Sequence, residues 1–358
     1  MTTPFESLSF AHGPAMRNRF MLSPLTNLQS HPDGRLGDDE YRWLTMRADG
    51  GFGFVMTCAA HVQAIGQGFP GQLGIWSDAH LEGLTRLAAG LKAAGAVCAV
   101  QLHHAGIRSP RELIGTAPVG PSADAETGAR ALTPDEVEAL REDFIAAALR
   151  AERAGFDGVE LHGAHGYALC AFLSPQYNRR DDRYGGSPEN RARLLTEIIA
   201  GIRARCRPDF QLGVRLSPER FGIVTAEALE LAQQLCAGGA VDYLDLSMWD
   251  VFKEPEDAAF KGQPLIAPFA GLARGGTRIG VAGRLYAAED VRRAIDAGAD
   301  FVLIGRAAIL HHDFPGRVAA DAGFRMATLP VTEATLRREG LGDAFIGYLR
   351  GWKDFVAD

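Results

Sequence analysis

Phe301-Val302-Leu303-Ile304-Gly305-Arg306 is apolar for four residues and then stops at a glycine and a cation. A half-buried strand alternates apolar and polar side chains, whereas a run that is apolar throughout suits a parallel strand covered on both faces. Just upstream, Ile279-Gly280-Val281-Ala282-Gly283-Arg284 ends the same way. Working outward, short mainly apolar runs that end in polar or glycine-rich loops recur at residues 20–23, 53–59, 97–102, 158–162, 212–217 and 243–247, which makes eight. Helical patterns fill the gaps. Thr133-Pro134-Asp135-Glu136 offers an N-cap threonine, proline at the first helical position and a glutamate placed to close a capping box. Val137, Leu140, Phe144, Ala147, Ala148 and Ala151 follow at three- and four-residue steps, and Gly155 stops the helix. Ser77, Ser187 and Thr225 are read as N-caps of three more helices, with Gly95 and Gly238 near two of their ends. Eight β/α units in a row predict an α/β protein built as a single (β/α)₈ TIM barrel. No linker divides the chain, so residues 1–358 are expected to form one domain, with a partly helical extension from about residue 315.

Composition fits that reading. The 358 residues are 47% hydrophobic and 23% charged, which excludes a disordered or collagen-like chain. A formal charge of -7, from 37 basic and 44 acidic residues, gives no basic face for nucleic acid or an anionic membrane. Cys58, Cys98, Cys170, Cys206 and Cys236 are scattered, so neither a zinc ribbon nor an iron-sulfur run is present. They are expected as small core residues in a reducing compartment. There is no leader-like start and no apolar run of membrane-spanning length, so a cytoplasmic location is expected.

In a barrel of this kind the chemistry sits where strands end. The first strand ends in Ser23-Pro24-Leu25-Thr26, the third in Gln101-Leu102-His103-His104, the fourth in His162-Gly163-Ala164-His165-Gly166-Tyr167 and the fifth at Arg215. Long loops at residues 108–132, 174–190 and 249–277 follow strands and are expected to wall the site. Gly283-Arg284 and Gly305-Arg306 close strands seven and eight, where glycine lets backbone N–H groups approach a phosphate and arginine supplies counter-charge. A phosphorylated cofactor or substrate is implied.

His162, His165 and Tyr167 form the most specific cluster. Two imidazoles beside a phenol suit hydrogen-bond donation to a carbonyl oxygen gaining charge, together with delivery of a proton. The competing readings are a zinc pair, which lacks a third ligand, and two packing histidines. One of His103 and His104 is expected to be structural, and His311-His312 to lie at the surface. There is no G-x-G-x-x-G after a strand, no P-loop and no G-x-S-x-G. The four lysines lie away from strand ends, against a Schiff-base aldolase, and no carboxylate cluster at strand ends suggests a metal-dependent lyase.

The chain resembles the Old Yellow Enzyme family of FMN-dependent NAD(P)H:flavin oxidoreductases and ene-reductases. The likeness runs from Arg17-Asn18-Arg19-Phe20-Met21-Leu22-Ser23-Pro24 through Gly305-Arg306. Its most specific part is Phe172-Leu173-Ser174-Pro175 with Asn178-Arg179-Arg180-Asp181-Asp182-Arg183-Tyr184-Gly185-Gly186-Ser187-Pro188-Glu189-Asn190-Arg191. The resemblance implies bound FMN, with Ser23, Pro24, Thr26, Ala59, Gln101 and Arg215 around the isoalloxazine ring and Thr26 near its O4. It implies a phosphate site at Gly283, Arg284, Gly305 and Arg306. It also implies His162 and His165 on the substrate carbonyl oxygen, Tyr167 as proton donor, and NAD(P)H as a transient reductant in the same pocket.

Several positions depart from the family pattern. Leu28 stands where one bacterial subgroup has tyrosine, and Ile107 replaces an arginine usual after His-Ala-Gly. Trp249 is bulkier than the residues usual after strand six and is expected to reshape the substrate pocket or simply to pack. Arg350-Gly351-Trp352 resembles a C-terminal motif that in some relatives reaches a neighbour's active site, and a homo-oligomer stays open as an arrangement. The expected activity is reduction of the C=C bond of α,β-unsaturated carbonyl compounds, a small-molecule reaction. Desaturation and nitro or nitrate-ester reduction use the same residues. A flavin-free phosphate-binding lyase or isomerase is the alternative from another class, and a scaffold role is the weakest.

Overall fold

The computed structural model describes residues 3–357. Eight parallel strands close into a barrel: β1 (Phe20–Leu22), β2 (Phe54–His61), β3 (Val97–His103), β4 (Gly158–Gly163), β5 (Gln211–Leu216), β6 (Tyr243–Ser247), β7 (Arg278–Ala282) and β8 (Phe301–Ile304). Each pairs with its sequence neighbours, and β1 closes on β8 through Phe20 opposite Val302 and Leu22 opposite Ile304. All eight lie where the apolar runs place them. The surrounding helices include α1 (Asp38–Asp49), α2 (Leu81–Ala93), α3 (Pro134–Arg153), α4 (Pro188–Arg205), α5 (Thr225–Gly238), α6 (Ile266–Ala270), α7 (Ala288–Asp296) and α8 (Arg306–Leu310). Three more helical stretches, Phe314–Ala320, Glu333–Arg338 and Asp343–Arg350, make up the tail.

The expected cap of α3 is present in full. Thr133 Oγ1 accepts from the Glu136 N–H at 3.2 Å, and Glu136 Oε2 accepts from the Thr133 N–H at 2.8 Å. Ser187 caps α4 through the Asn190 N–H. Ser77 opens a 3₁₀ turn, Asp78–His80, that leads into α2. Thr225 does not cap α5: it is already helical, and Val224 precedes it. At the other end Gly238 is the last helical residue, and Gly239, at φ +64°, makes the left-handed stop that Gly238 was expected to supply.

Two apolar layers result. One lies between the strands and the helices and takes in Val55, Val100, Leu161 and Val214. The other fills the lower barrel with Met21, Phe54, Met56, Val97, Tyr243 and Phe301. An antiparallel bridge between Leu8 and Met16 folds the N-terminal segment across the bottom, where the Phe10 ring lies 5.8 Å from Tyr243 and 6.2 Å from Phe301. The large aromatics fit because Gly213 and Gly280 lie beneath them.

β2 carries an irregularity that matters higher up. Its register against β3 shifts between Met56 and Ala59. Phe54 and Met56 face the axis, Cys58 joins the outer layer, and the extra residue returns Ala59 to the interior. The tail is tied down by Arg47 of α1. Its buried guanidinium donates to Ala308 O at 3.0 Å and Glu339 O at 2.7 Å, and stacks 4.3 Å over Trp43.

Gly213→Ala places a Cβ 2.1 Å from the Tyr243 ring and so overpacks the lower barrel. It is expected to cost about 1–3 kcal/mol of stability, measured by denaturant unfolding of the FMN-free protein. Wild-type stability in this variant would show that the layer has slack.

Candidate active site

The strand ends open into a cavity of about 590 Å³. Ser23, Pro24, Thr26, Ala59, Gln101, His162, His165, Tyr167, Arg215, Trp249, Gly283 and Arg306 all line it. A smaller lobe of about 190 Å³ adjoins it and adds Arg284 and Gly305. Every residue singled out in the sequence as a site candidate is therefore brought to one place.

Strand parity explains the floor. Gln101 and His103 on β3, Glu160 and His162 on β4, and Asp245 and Ser247 on β6 are each two residues apart and so share the inner side, as does Arg215 on β5. Glu160 and Asp245 therefore point into the barrel and are fully buried. Gln101 Nε2 donates to Glu160 Oε1 at 2.7 Å, and Arg215 Nε lies 3.0 Å from Asp245 Oδ2.

On the wall, the His162 ring centroid lies 5.1 Å from both His165 and Tyr167. His162 Nδ1 accepts from the Ala164 N–H at 3.3 Å, which leaves the neutral ring's proton on Nε2. His165 Nε2 meets Ser247 Oγ at 2.7 Å, and its backbone N–H donates to Ser217 Oγ. Burial, reinforced by the neighbouring imidazoles and by Arg215, holds His162 well below the usual histidine range, and burial followed by Arg215 does the same to His165. Both are neutral at pH 7. Burial raises the Tyr167 phenol, so it keeps its proton, while the Arg108 guanidinium, 4.8 Å over the ring, pulls the other way. His165, Phe221, Trp249 and Arg284 all have φ between +53° and +63°, conformations that non-glycine residues avoid and that cluster at functional sites.

Some contributors escaped the sequence reading. Arg108 supplies the cation missing at Ile107: Ile107 is buried, and the next residue swings over Tyr167 and donates to His165 O at 2.5 Å. His103 and His104 separate as expected. His104 is structural, bonded to Gln63 and to the Gly106 N–H, whereas His103 lines the cavity with its ring 4.4 Å from Tyr167. His312 is paired with Glu339, and His311 accepts from the Ala327 N–H, so both are more engaged than their expected surface position implied. Leu28 does not line the cavity; Leu25 and Phe69 do.

Tyr348 and Trp352 enter the cavity from the tail of the same chain, so the Trp352 of the Arg350-Gly351-Trp352 motif reaches its own chain's cavity. Arg350 points away and pairs with Glu333 of its own chain. The family-specific run from Asn178 to Arg191 does not line the cavity either. Asn178 Nδ2 bridges Phe172 O and Tyr184 O, and Arg180 reaches Pro121 O and Leu132 O, so the run braces the loops that carry Tyr167.

The larger cavity with its amide and guanidinium floor suits a planar heterocycle rich in hydrogen-bonding edges. The smaller lobe suits a phosphate. Gly283 has φ +152°, and a Cβ there would lie 2.8 Å from Asp250 N, so glycine is needed for the loop to take this path beside Arg284 and Arg306. The residues present therefore fit FMN.

The profile of the NADH:flavin oxidoreductase / NADH oxidase family matches residues 5–321. This chain belongs to that family, which is the Old Yellow Enzyme family. It is 35% identical over 313 residues, 84% of each chain, to the "Probable NADH-dependent flavin oxidoreductase YqiG" of Bacillus subtilis. Among solved structures it superposes on an old yellow enzyme homologue from Zymomonas mobilis with a TM-score of 0.81 at 28% identity, covering 96% of this chain and 99% of the other. Morphinone reductase in complex with tetrahydroNAD gives 0.79 at 30% identity, covering 100% and 98%. In two larger relatives the matching region is only about a third of the chain. The protein is thus an NAD(P)H-dependent flavin oxidoreductase with FMN as its cofactor, which displaces the flavin-free lyase alternative. Among the described residues no helix is long and apolar enough to cross a membrane, and no three His, Cys, Asp or Glu side chains gather as metal ligands.

Arg284→Gln with Arg306→Gln is expected to weaken FMN uptake by the apoprotein at least about tenfold and to leave uptake of riboflavin, which has no phosphate, unchanged. Flavin fluorescence titration measures both. Equal losses for the two flavins would remove the arginines from phosphate binding.

Proposed function

We propose that this oxidoreductase is an ene-reductase that uses NAD(P)H to saturate the C=C bond of α,β-unsaturated carbonyl compounds. The observation that carries this reading is the convergence of two neutral imidazoles and one protonated phenol on a single wall above the Gln101–Arg215 floor. FMN, held by the Gln101–Arg215 floor and the Gly283-Arg284 and Gly305-Arg306 loops, would supply the hydride chemistry when bound.

The chain supplies position, charge and one proton. His162 Nε2–H and the His165 ring hold the carbonyl oxygen, and their hydrogen bonds strengthen as negative charge builds on it toward the enolate. Tyr167 delivers its proton to the α-carbon. Arg108, stacked on the Tyr167 ring, steadies the phenolate left behind. Phe221 and the half-exposed Trp249, with Arg220 stacked 4.7 Å over the indole, form the outer lip that the rest of the substrate meets. Substrate and nicotinamide share the one cavity, so they bind in turn.

An anaerobic absorption experiment tests this. NADPH or NADH is expected to bleach the flavin band, and cyclohexenone to restore it. Tyr167→Phe is expected to slow the restoration by about 10²-fold or more while leaving bleaching within about twofold of wild type. Equal loss in both steps would remove Tyr167 as the specific proton donor, and a reduced flavin that cyclohexenone never reoxidises would overturn the ene-reductase reading.

A further inference from the structure

Beneath the cavity lies a group of buried ionisable side chains that the proposed reaction does not use. Glu160 and Asp245 are completely buried, and Tyr243 just below them is too. Among the described residues, Arg215 is the guanidinium they face. Its Nε is 3.0 Å from Asp245 Oδ2, an ion contact out of line for a hydrogen bond, and its Nη2 reaches only as far as Ser23 Oγ and Ser247 Oγ, both at 3.5 Å. Glu160 Oε1 accepts from Gln101, but Glu160 Oε2, both oxygens of Asp245 and the Tyr243 hydroxyl have no hydrogen-bond partner.

Two carboxylates against one guanidinium would leave a net negative charge in the middle of the barrel, and an uncompensated buried charge is costly. One proton makes the set neutral. Gln101 and Arg215 both line the cavity that would hold the flavin, so whatever sets the charge of Arg215 or the orientation of the Gln101 amide acts on the cofactor.

We infer that Glu160 and Asp245 hold one proton between them and serve as a positioning pair that sets how much of the positive charge of Arg215 reaches the flavin. With the proton in place, Asp245 matches Arg215 and Glu160 is a neutral acid whose Oε1 orients the Gln101 amide. When the proton leaves to water, a second negative charge stands behind Arg215. The floor then holds an anionic reduced flavin less well relative to the oxidised one. Only an O–H bond is made or broken.

The surroundings fit a proton that leaves within the working pH range. Burial, followed by the Asp245 charge, pushes Glu160 up to about 8, against the pull of Arg215 and Gln101. Burial pushes Asp245 up to about 6, against Arg215. Facing the pair are Gln101 from β3, Arg215 from β5 and the Tyr243 phenol from β6. That phenol is held well above its usual range by burial and by the charges of Glu160, Asp245 and Asp242, so it stays neutral.

Glu160→Gln keeps a partner for Gln101 and removes the titration. In wild type, the preference for reduced over oxidised FMN, read from the flavin midpoint potential, is expected to fall about tenfold more between pH 7 and 9 than in Glu160→Gln. The FMN-free proteins give an independent readout. A carboxyl whose pKa is raised on folding contributes its full stability below its ordinary value of 4.5 and loses it as pH rises through about 8. Thermal unfolding of wild type should therefore show a loss of stability across that window that Glu160→Gln lacks. If Glu160→Gln fails to fold, Asp245→Asn decides. Glu160 then becomes the sole counter-ion of Arg215, and the potential step should move to lower pH. A pH dependence unchanged in Glu160→Gln by both readouts, or a step unmoved in Asp245→Asn, would overturn the inference.

Discussion

Closing eight parallel strands on themselves gives every second residue of each strand a single destination, the barrel axis. Nothing else in the molecule sorts side chains so strictly. In the lower barrel these residues are Phe54, Met56, Val97, Tyr243 and Phe301, which exclude water from below. Higher up they are Gln101, Glu160, Arg215 and Asp245, which have no solvent to turn to and must satisfy one another. At the rim they are His162 and Ser247, with His165 and Tyr167 on the loop just above. An apolar base, a polar floor and a reactive wall thus follow from one alternation read at three heights.

Much of this was legible in the sequence. Short apolar runs, each ending in a polar or glycine-rich loop, located the strands, and those that are apolar throughout, such as Phe54–Met56 and Phe301–Ile304, marked burial on both faces. The Thr133 capping box located α3 because its two hydrogen bonds are local. Gly283-Arg284 and Gly305-Arg306 located the smaller lobe because both pairs stand at strand ends, where side chains and loops open onto the cavity.

What stayed hidden depends on contacts distant in the chain or on breaks in the alternation. Alternation continued without a break along β2 would turn Cys58 inward; the extra residue there turns Ala59 inward instead. Arg108 replaces the arginine missing at Ile107 only because the 3₁₀ turn Gly106–Arg108 points it over Tyr167. Tyr348 and Trp352 reach the cavity because Arg47, some three hundred residues earlier, holds carbonyls at Ala308 and Glu339 and so fixes where the tail runs. The Arg350-Gly351-Trp352 motif pointed to an active site, but that Trp352 reaches the cavity of its own chain depends on this distant tie.

The smaller lobe is bounded by Ser23 at the end of β1 and by Leu303 and Gly305 at the end of β8. Those are the first and last strands to be made, and the seam between them is the joint that turns an open sheet into a barrel. A dianion held there works as a rivet across the joint. No fragment that lacks either end of the chain contains the whole socket, so capture of the cofactor draws the two ends together and favours the closed ring over every open arrangement. The yellow of the bound flavin is then also a visible sign that the ring has closed.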